Sequence, residues 1–199
     1  MGLLAKPCTR VASAIAISIA VSPSVARADS TIKHPGDHPS YNVEAEPHIA
    51  LGTDNIYYRY GGFGIGGRFS IPIVHNGFVS SINNSVAISF GVDAIHYDSC
   101  YYGNDYGCSA TYLFFPVAMQ WNFYVGERWS VFGEPGLFLY KGFIDNCPPG
   151  FKGQCEAPSN FGFRPFALWL GGRYHFNENV ALTLRIGWPS VTFGVSFFP

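Results

Sequence analysis

From residue 41 onward, bulky apolar side chains recur at every second position, and small or polar residues fill the places between. The last hairpin is the plainest case. Val180, Leu182, Leu184, Ile186 and Trp188 share one face, opposed by Ala181, Thr183, Arg185 and Gly187. After the break at Pro189-Ser190, Val191, Phe193, Val195 and Phe197 alternate with Thr192, Gly194 and Ser196. A period of two is that of an extended strand, whose side chains point to its two faces in turn. Helical spacing is not sustained, because Gly and Pro interrupt every candidate.

The same alternation runs back through the chain. Leu113, Phe115, Val117, Met119, Trp121 and Phe123 oppose Tyr112, Phe114, Pro116, Ala118, Gln120 and Asn122. Phe63, Ile65, Phe69 and Ile71 oppose Gly64, Gly66, Arg68 and Ser70. Ile49 and Leu51 oppose Glu44, Glu46 and His48, and Ile88, Phe90 and Val92 oppose Ser89, Gly91 and Asp93. Leu168, Leu170 and Tyr174 oppose Trp169, Arg173 and His175, while Val131, Leu137 and Leu139 oppose Glu134. Together these predict about eight strands of roughly ten residues, the dimensions of the smallest membrane barrels. The fold class is all-β: a closed antiparallel up-and-down transmembrane barrel. Closure also removes the unpaired strand edges that lipid forbids.

Composition favours lipid over water. Hydrophobic residues make up 48% of the 199, and charged residues only 13%. Soluble domains carry about 25% charged residues, so this chain is poorly equipped to cover a water-facing surface. No stretch approaches the ~20 apolar residues of a spanning helix. Residues 1–28 read as a secretory signal. Lys6 and Arg10 precede a short apolar run, and Ala26-Arg27-Ala28 offers a cleavage point after Ala28. The plainer alternative is an uncleaved anchor. Residues 29–40, with Pro35 and Pro39, read as a flexible periplasmic lead-in, and 41–199 as the barrel. Cleavage would remove Lys6, Arg10 and Arg27 and no acid, leaving an acidic mature chain with no basic patch for nucleic acid.

With the N-terminus in the periplasm, links 52–60, 98–110, 142–160 and Pro189-Ser190 face outward. Links 72–83, 125–128 and 177–179 face inward. Long outer loops and short inner turns are usual for such barrels, although 72–83 is long for an inner turn. Of the five cysteines, Cys8 would leave with the signal. Cys100 and Cys108 share one outer loop, and Cys147 and Cys155 the other. An even number in an oxidising compartment points to disulfides. Three connectivities are open, and the local bridges Cys100–Cys108 and Cys147–Cys155 are preferred. A four-thiolate metal site is the alternative, but the spacing is wide for one. Tyr101, Tyr102 and Tyr106 could offer a surface ligand rigid aromatic contacts on a stiffened loop. Tyr97 and Tyr112 read as members of an interfacial aromatic belt.

The inward face gathers Glu44, Glu46, His48, Arg68, Asp93, Glu134, Arg173, His175 and Arg185. Such a set could line a pore or a proton-sensitive gate. It could equally be a structural plug of ion pairs, since an eight-stranded lumen is just filled by side chains. His34, His38 and His48 with Asp37 lack regular metal-ligand spacing, and no cofactor is called for. Ser99, Ser109, His96 and Asp98 hold the residue types of a hydrolase near one strand end, but period two turns His96 toward lipid with Ala94.

The run Gly171-Gly172-Arg173-Tyr174-His175-Phe176, followed by 181–187, resembles the penultimate hairpin of the small outer-membrane barrels related to outer membrane proteins A and X. The resemblance covers 41–199. It implies an outer-membrane, porin-like barrel in lipid, delivered by the barrel-assembly machinery, which reads a terminal aromatic residue. Phe197 and Phe198 are present here, with Pro199 after them. The expected role is non-enzymatic: envelope integrity, surface adhesion or weak passive transport. Two rivals stand beside it. One is a soluble periplasmic lipocalin-like barrel with its faces reversed around an apolar ligand. The other is a lipid-modifying enzyme of the outer leaflet.

Overall fold

A computed structural model describes residues 31–53, 61–102, 105–145 and 161–199; the side chains of 98–102, 105–108 and 144–145 are not described. Eight strands follow one another: β1 (Glu44–Gly52), β2 (Gly62–Val74), β3 (Asn84–Tyr102), β4 (Asp105–Tyr124), β5 (Trp129–Asp145), β6 (Gly162–His175), β7 (Val180–Gly187) and β8 (Ser190–Phe197). Each pairs antiparallel with the next, and β8 pairs with β1 to close the barrel. Among the described residues, no helix is long and apolar enough to cross a membrane.

The alternation maps onto the two faces of the wall. Ile49, Leu51, Phe63, Ile65, Leu170, Leu184 and Phe193 point out and are exposed. Glu44, Glu46, Arg68, Asp93, Thr183 and Arg185 point in and are buried. This is an apolar exterior around a polar interior, the reverse of a water-soluble barrel.

Glycines make room for inward aromatic rings on neighbouring strands. Phe132 pairs with Gly171, Tyr140 with Gly162, Tyr112 with Gly142, and Trp169 with Gly187. In each pair a Cβ on the glycine would run into the ring. A narrow barrel can thus hold flat aromatic side chains along its wall.

The strands are far from equal. β4 has 20 residues and β7 and β8 have 8 each. The end carrying links 125–128 and 176–179 is even. At the opposite, far end, β3 to β6 rise as a tall wall beside a low rim of β7, β8 and β1. Here the first cysteine segment differs from the expected loop. It continues the ladder as paired strand, with Cys100 opposite Cys108, Tyr101 opposite Tyr106 and Tyr102 opposite Asp105. Aromatic-rich sequence suits extended backbone, and pairing satisfies the main-chain groups that a loop would leave to water. Cys147 and Cys155 lie outside the described residues, as do Ala28 and the rest of residues 1–30.

Two aromatic layers close the lumen. The far layer holds Tyr97, Phe114, Phe138 and Trp169, with Tyr112 and Tyr140 packed against it. Tyr97 and Tyr112 therefore belong to this plug and not to an outer belt, because both share the inward parity of Asp93 and Phe114. Trp188 also departs from the outward face expected for it. It lies past the end of β7 and packs on Phe138, ring centroids 5.1 Å apart. The near layer is Tyr41 edge-on to Phe198 at 4.8 Å, with Phe198 stacked on His175.

Residues 31–40, read above as a lead-in, pack along the near end. Asn83 N donates to Ile32 O at 2.7 Å, and Asn83 Nδ2 to Asp37 O at 2.6 Å. His38 stacks on Tyr124 at 4.4 Å, and its Nε2 donates to His75 O at 2.9 Å. These contacts explain the length of the β2–β3 link, which serves as the seat for this segment.

Candidate functional site

Between the aromatic layers lies a ladder of charged side chains. Two of its three rungs join strands that are distant in sequence. Nearest the chain termini, Glu44 of β1 meets Arg173 of β6. Arg173 Nη2 donates to the Glu44 carboxylate at 2.8 Å and Nη1 to Asn122 Oδ1 at 2.8 Å. Ser196 Oγ donates to Glu44 Oε1 at 2.7 Å, and Thr183 Oγ1 meets Ser196 Oγ at 2.6 Å.

The middle rung is centred on Arg185 of β7. Its Nη1 and Nη2 donate to Glu46 at 2.7 and 3.0 Å. Its Nε and Nη2 donate to Glu134 at 2.8 and 3.2 Å. Gln120 Nε2 adds a bond to Glu134 Oε1 at 2.7 Å. One guanidinium thus grips two carboxylates in paired, charge-assisted geometry, the strongest hydrogen-bonded form available to it. The Phe132 ring lies against both neighbouring guanidiniums, 4.3 Å from Arg173 and 5.2 Å from Arg185. Gly171 provides the space for that ring.

The third rung holds His48, Asp93 and Arg68. His48 Nε2 lies 2.8 Å from Asp93 Oδ1, and its Nδ1 lies 3.5 Å from Glu46 Oε1, which ties this rung to the middle one. Arg68 Nη2 reaches Asp93 Oδ2 at 3.4 Å, and its guanidinium sits 5.2 Å from the Trp169 ring. His175 stands apart from the ladder, with Nε2 on Ser130 Oγ at 3.0 Å. Tyr41, which precedes β1, is buried over the end of the ladder, and that burial holds its phenol well above its usual pKa.

The structure thus brings Glu44, Glu46, His48, Arg68, Asp93, Glu134, Arg173 and Arg185 into one buried system, with half-buried His175 at its edge. Desolvating these charges would be prohibitive if they were unpaired. In this ladder the acids and bases answer one another. Sequence reasoning placed the charges on the inward face but did not foresee the neutral partners Asn122, Gln120, Ser196 and Thr183. Their common inward parity was the available signal.

The other candidate groupings come together less well. His48 is in the ladder, whereas His38 is at the near end against Tyr124. Among the described residues, no group of three or more His, Cys, Asp or Glu is placed to hold a metal. His96 is on the outward face, where its Nδ1 meets Thr111 Oγ1 at 2.9 Å. The side chains of Asp98 and Ser99 lie outside those described, as do those of Cys100, Tyr101, Tyr102, Tyr106 and Cys108.

No family model matches the chain, and no curated protein matches it either. Solved structures do. The outer membrane protein OprG from Pseudomonas aeruginosa is 12% identical, covers 83% of this chain and 94% of its own, and superposes with a TM-score of 0.50. Ail, the attachment invasion locus protein of Yersinia pestis, is 12% identical over 78% of this chain and 96% of its own, at 0.49. Neisserial surface protein A is 14% identical over 79% and 96%, at 0.46. At such identities the likeness concerns the backbone alone: this chain has the fold of the small eight-stranded barrels of Gram-negative outer membranes.

Proposed function

We propose that the protein is a non-enzymatic outer-membrane barrel that contributes to envelope integrity and presents its β3–β4 hairpin as a surface contact. One observation carries the reading: the described outer face of the wall is apolar, while the acids and bases of the strands gather almost wholly in the lumen. A water-soluble lipocalin needs the opposite arrangement, with an apolar cavity and a charged exterior. Passive transport is the least favoured of the transmembrane roles, because the buried ladder and both aromatic layers fill the lumen.

The rest of the reading follows from that placement. The chain is exported and cleaved after Ala28, handed to the barrel-assembly machinery, and surrounded by outer-membrane lipid. Cys100 and Cys108 form a cross-strand disulfide, for which their paired register is suitable, and Cys147 pairs with Cys155. Tyr101, Tyr102 and Tyr106, on the same raised hairpin, meet the surface partner.

Electrophoresis in SDS, with and without boiling, tests this on the outer-membrane fraction. The protein is expected there, with a mobility that changes on boiling and an intact mass that begins at Asp29. Recovery from the soluble periplasm, with no mobility change, would reverse inside and outside and make cavity binding the better reading. Thiol titration of the unfolded, unreduced mature protein should find no free cysteine.

A further inference from the structure

A band of aromatic rings lines the outside of the wall at the near end. Phe78 meets Trp121 edge-on at 5.7 Å, and Trp121 lies 4.9 Å from Phe123. On the next two strands Trp129 pairs with Tyr174, their rings 5.0 Å apart, and Tyr174 meets Phe176 at 5.4 Å. Ser130 and Arg173, the neighbours of Trp129 and Tyr174, are buried in the lumen, so these rings turn outward. Trp129 and Phe176 are more than half exposed. The outer belt expected at Tyr97 and Tyr112 has its counterpart here.

A cation is set into this band. Arg128 ends the 125–128 link, whose backbone is pinned. Val125 N and Gly126 N donate to Trp129 O at 3.0 and 3.2 Å, and Arg128 O accepts from His175 N at 2.8 Å. The exposed guanidinium is drawn over the outer face, where Nη1 donates to Tyr174 Oη at 3.4 Å. That bond takes one of the five N–H groups of the guanidinium. Glu127, the residue before it, is exposed as well and near enough to act on the Arg128 charge. Arg164, an exposed cation of the far rim, is placed differently. A bulge in β6 brings it into register with inward Phe138, and its guanidinium lies 5.3 Å from the Trp188 ring at the mouth. Arg128 instead stands on the membrane side of the wall, joined by direct contacts to two outward rings and followed by a carboxylate.

We propose that Arg128, Tyr174 and Trp129, with Glu127 beside them, form a seat for a phosphatidylethanolamine headgroup of the periplasmic leaflet. The inference rests on the membrane reading above, which sets the near end, with both ends of the barrel segment, toward the periplasm. A guanidinium is well shaped to receive phosphate oxygens. Indole and phenol rings suit the level at which headgroups meet hydrocarbon. The acyl chains of the lipid lie along exposed Val131 and Leu170, which continue the apolar face beyond the rings. The choice of headgroup follows from the two adjacent charges. Ethanolamine lipids carry a phosphate for Arg128 and an ammonium whose N–H groups Glu127 accepts. Choline lipids have the phosphate but no N–H on their cation, and glycerol lipids have the phosphate and no cation.

The test uses the full mature chain folded into vesicles of phosphatidylcholine, alone or with an equal share of phosphatidylethanolamine or phosphatidylglycerol. The readout is the temperature at which the compact band is lost in SDS electrophoresis, each variant being compared with itself in phosphatidylcholine alone. Phosphatidylethanolamine should raise that temperature by several degrees for the wild type, and phosphatidylglycerol by less. The rise with phosphatidylethanolamine should vanish in Arg128→Gln, shrink in Tyr174→Phe, and persist in the far-rim control Arg164→Gln. In Glu127→Gln the two added lipids should act equally. No rise in the wild type overturns the seat, as does an equal rise in Arg128→Gln, which would mark a bulk effect of the bilayer. An equal rise with both lipids in the wild type overturns ethanolamine as the occupant. Failure to give a compact band in any vesicle overturns the membrane reading itself, a result distinct from the loss of lipid selectivity.

Discussion

The two faces of this barrel wall are built from alternate residues of the same strands, yet they are governed by different physics. On the inner face, Glu44 finds its cation on β6, and Arg185 finds its two carboxylates on β1 and β5. Each group there depends on partners brought from other strands, some of them across the closed barrel. On the outer face, Leu170, Leu184 and Phe193 require no partner, only surroundings without water. Inner positions are therefore specific and costly to change singly. Outer positions are tolerant of shape and intolerant of charge.

The largest effect expected from breaking this contrast is at Arg185. Arg185→Met would leave Glu46 and Glu134 buried and uncompensated, at a cost of about 3–5 kcal/mol. Urea unfolding in vesicles should show it. Adding Glu46→Gln and Glu134→Gln to that variant should recover much of the loss, because the penalty belongs to the orphaned charges. Next is a charge on the outer face. Leu170→Arg should cost ~2–4 kcal/mol if its position meets the bilayer midplane. The same titration in vesicles reads it, and an unchanged midpoint would mean that this face meets water.

A smaller effect is expected at Gly171. The Cβ of Gly171→Ala would run into the Phe132 ring and displace it from Arg173 and Arg185, for about 1–3 kcal/mol of overpacking. The smallest effect is at an outer apolar site. Val131→Ala trims an exposed side chain and should stay within ~0.5 kcal/mol. If it proved as costly as Gly171→Ala, the claimed tolerance of the outer face would be lost.

Much of the wall was legible because strand parity is local. Given Arg185 between Leu184 and Ile186, a half-buried strand must turn the arginine away from both neighbours. The same reasoning put Glu134 opposite Leu137 and Leu139. It failed where regular alternation ended. Trp188 carries the parity of Ile186, but it follows the last residue of β7 and is free to fold onto Phe138. The belt expected for Tyr97 and Tyr112 gives way to their parity with Asp93 and Phe114, which assigns them to the lumen. The segment around Cys100 and Cys108 falls in the expected 98–110 link, whereas pairing continues through it.

What the sequence determined by itself was the number of strands and the face to which most side chains turn, since a period of two is written in neighbouring residues. Only the tertiary structure decided which charges meet, because Arg185 and Glu46 are 139 positions apart and come together only when β8 closes on β1 with a particular stagger. It alone also decided the position of Arg164, since one extra residue in β6 reverses the parity beyond it, and a bulge is a property of two strands paired and not of either one.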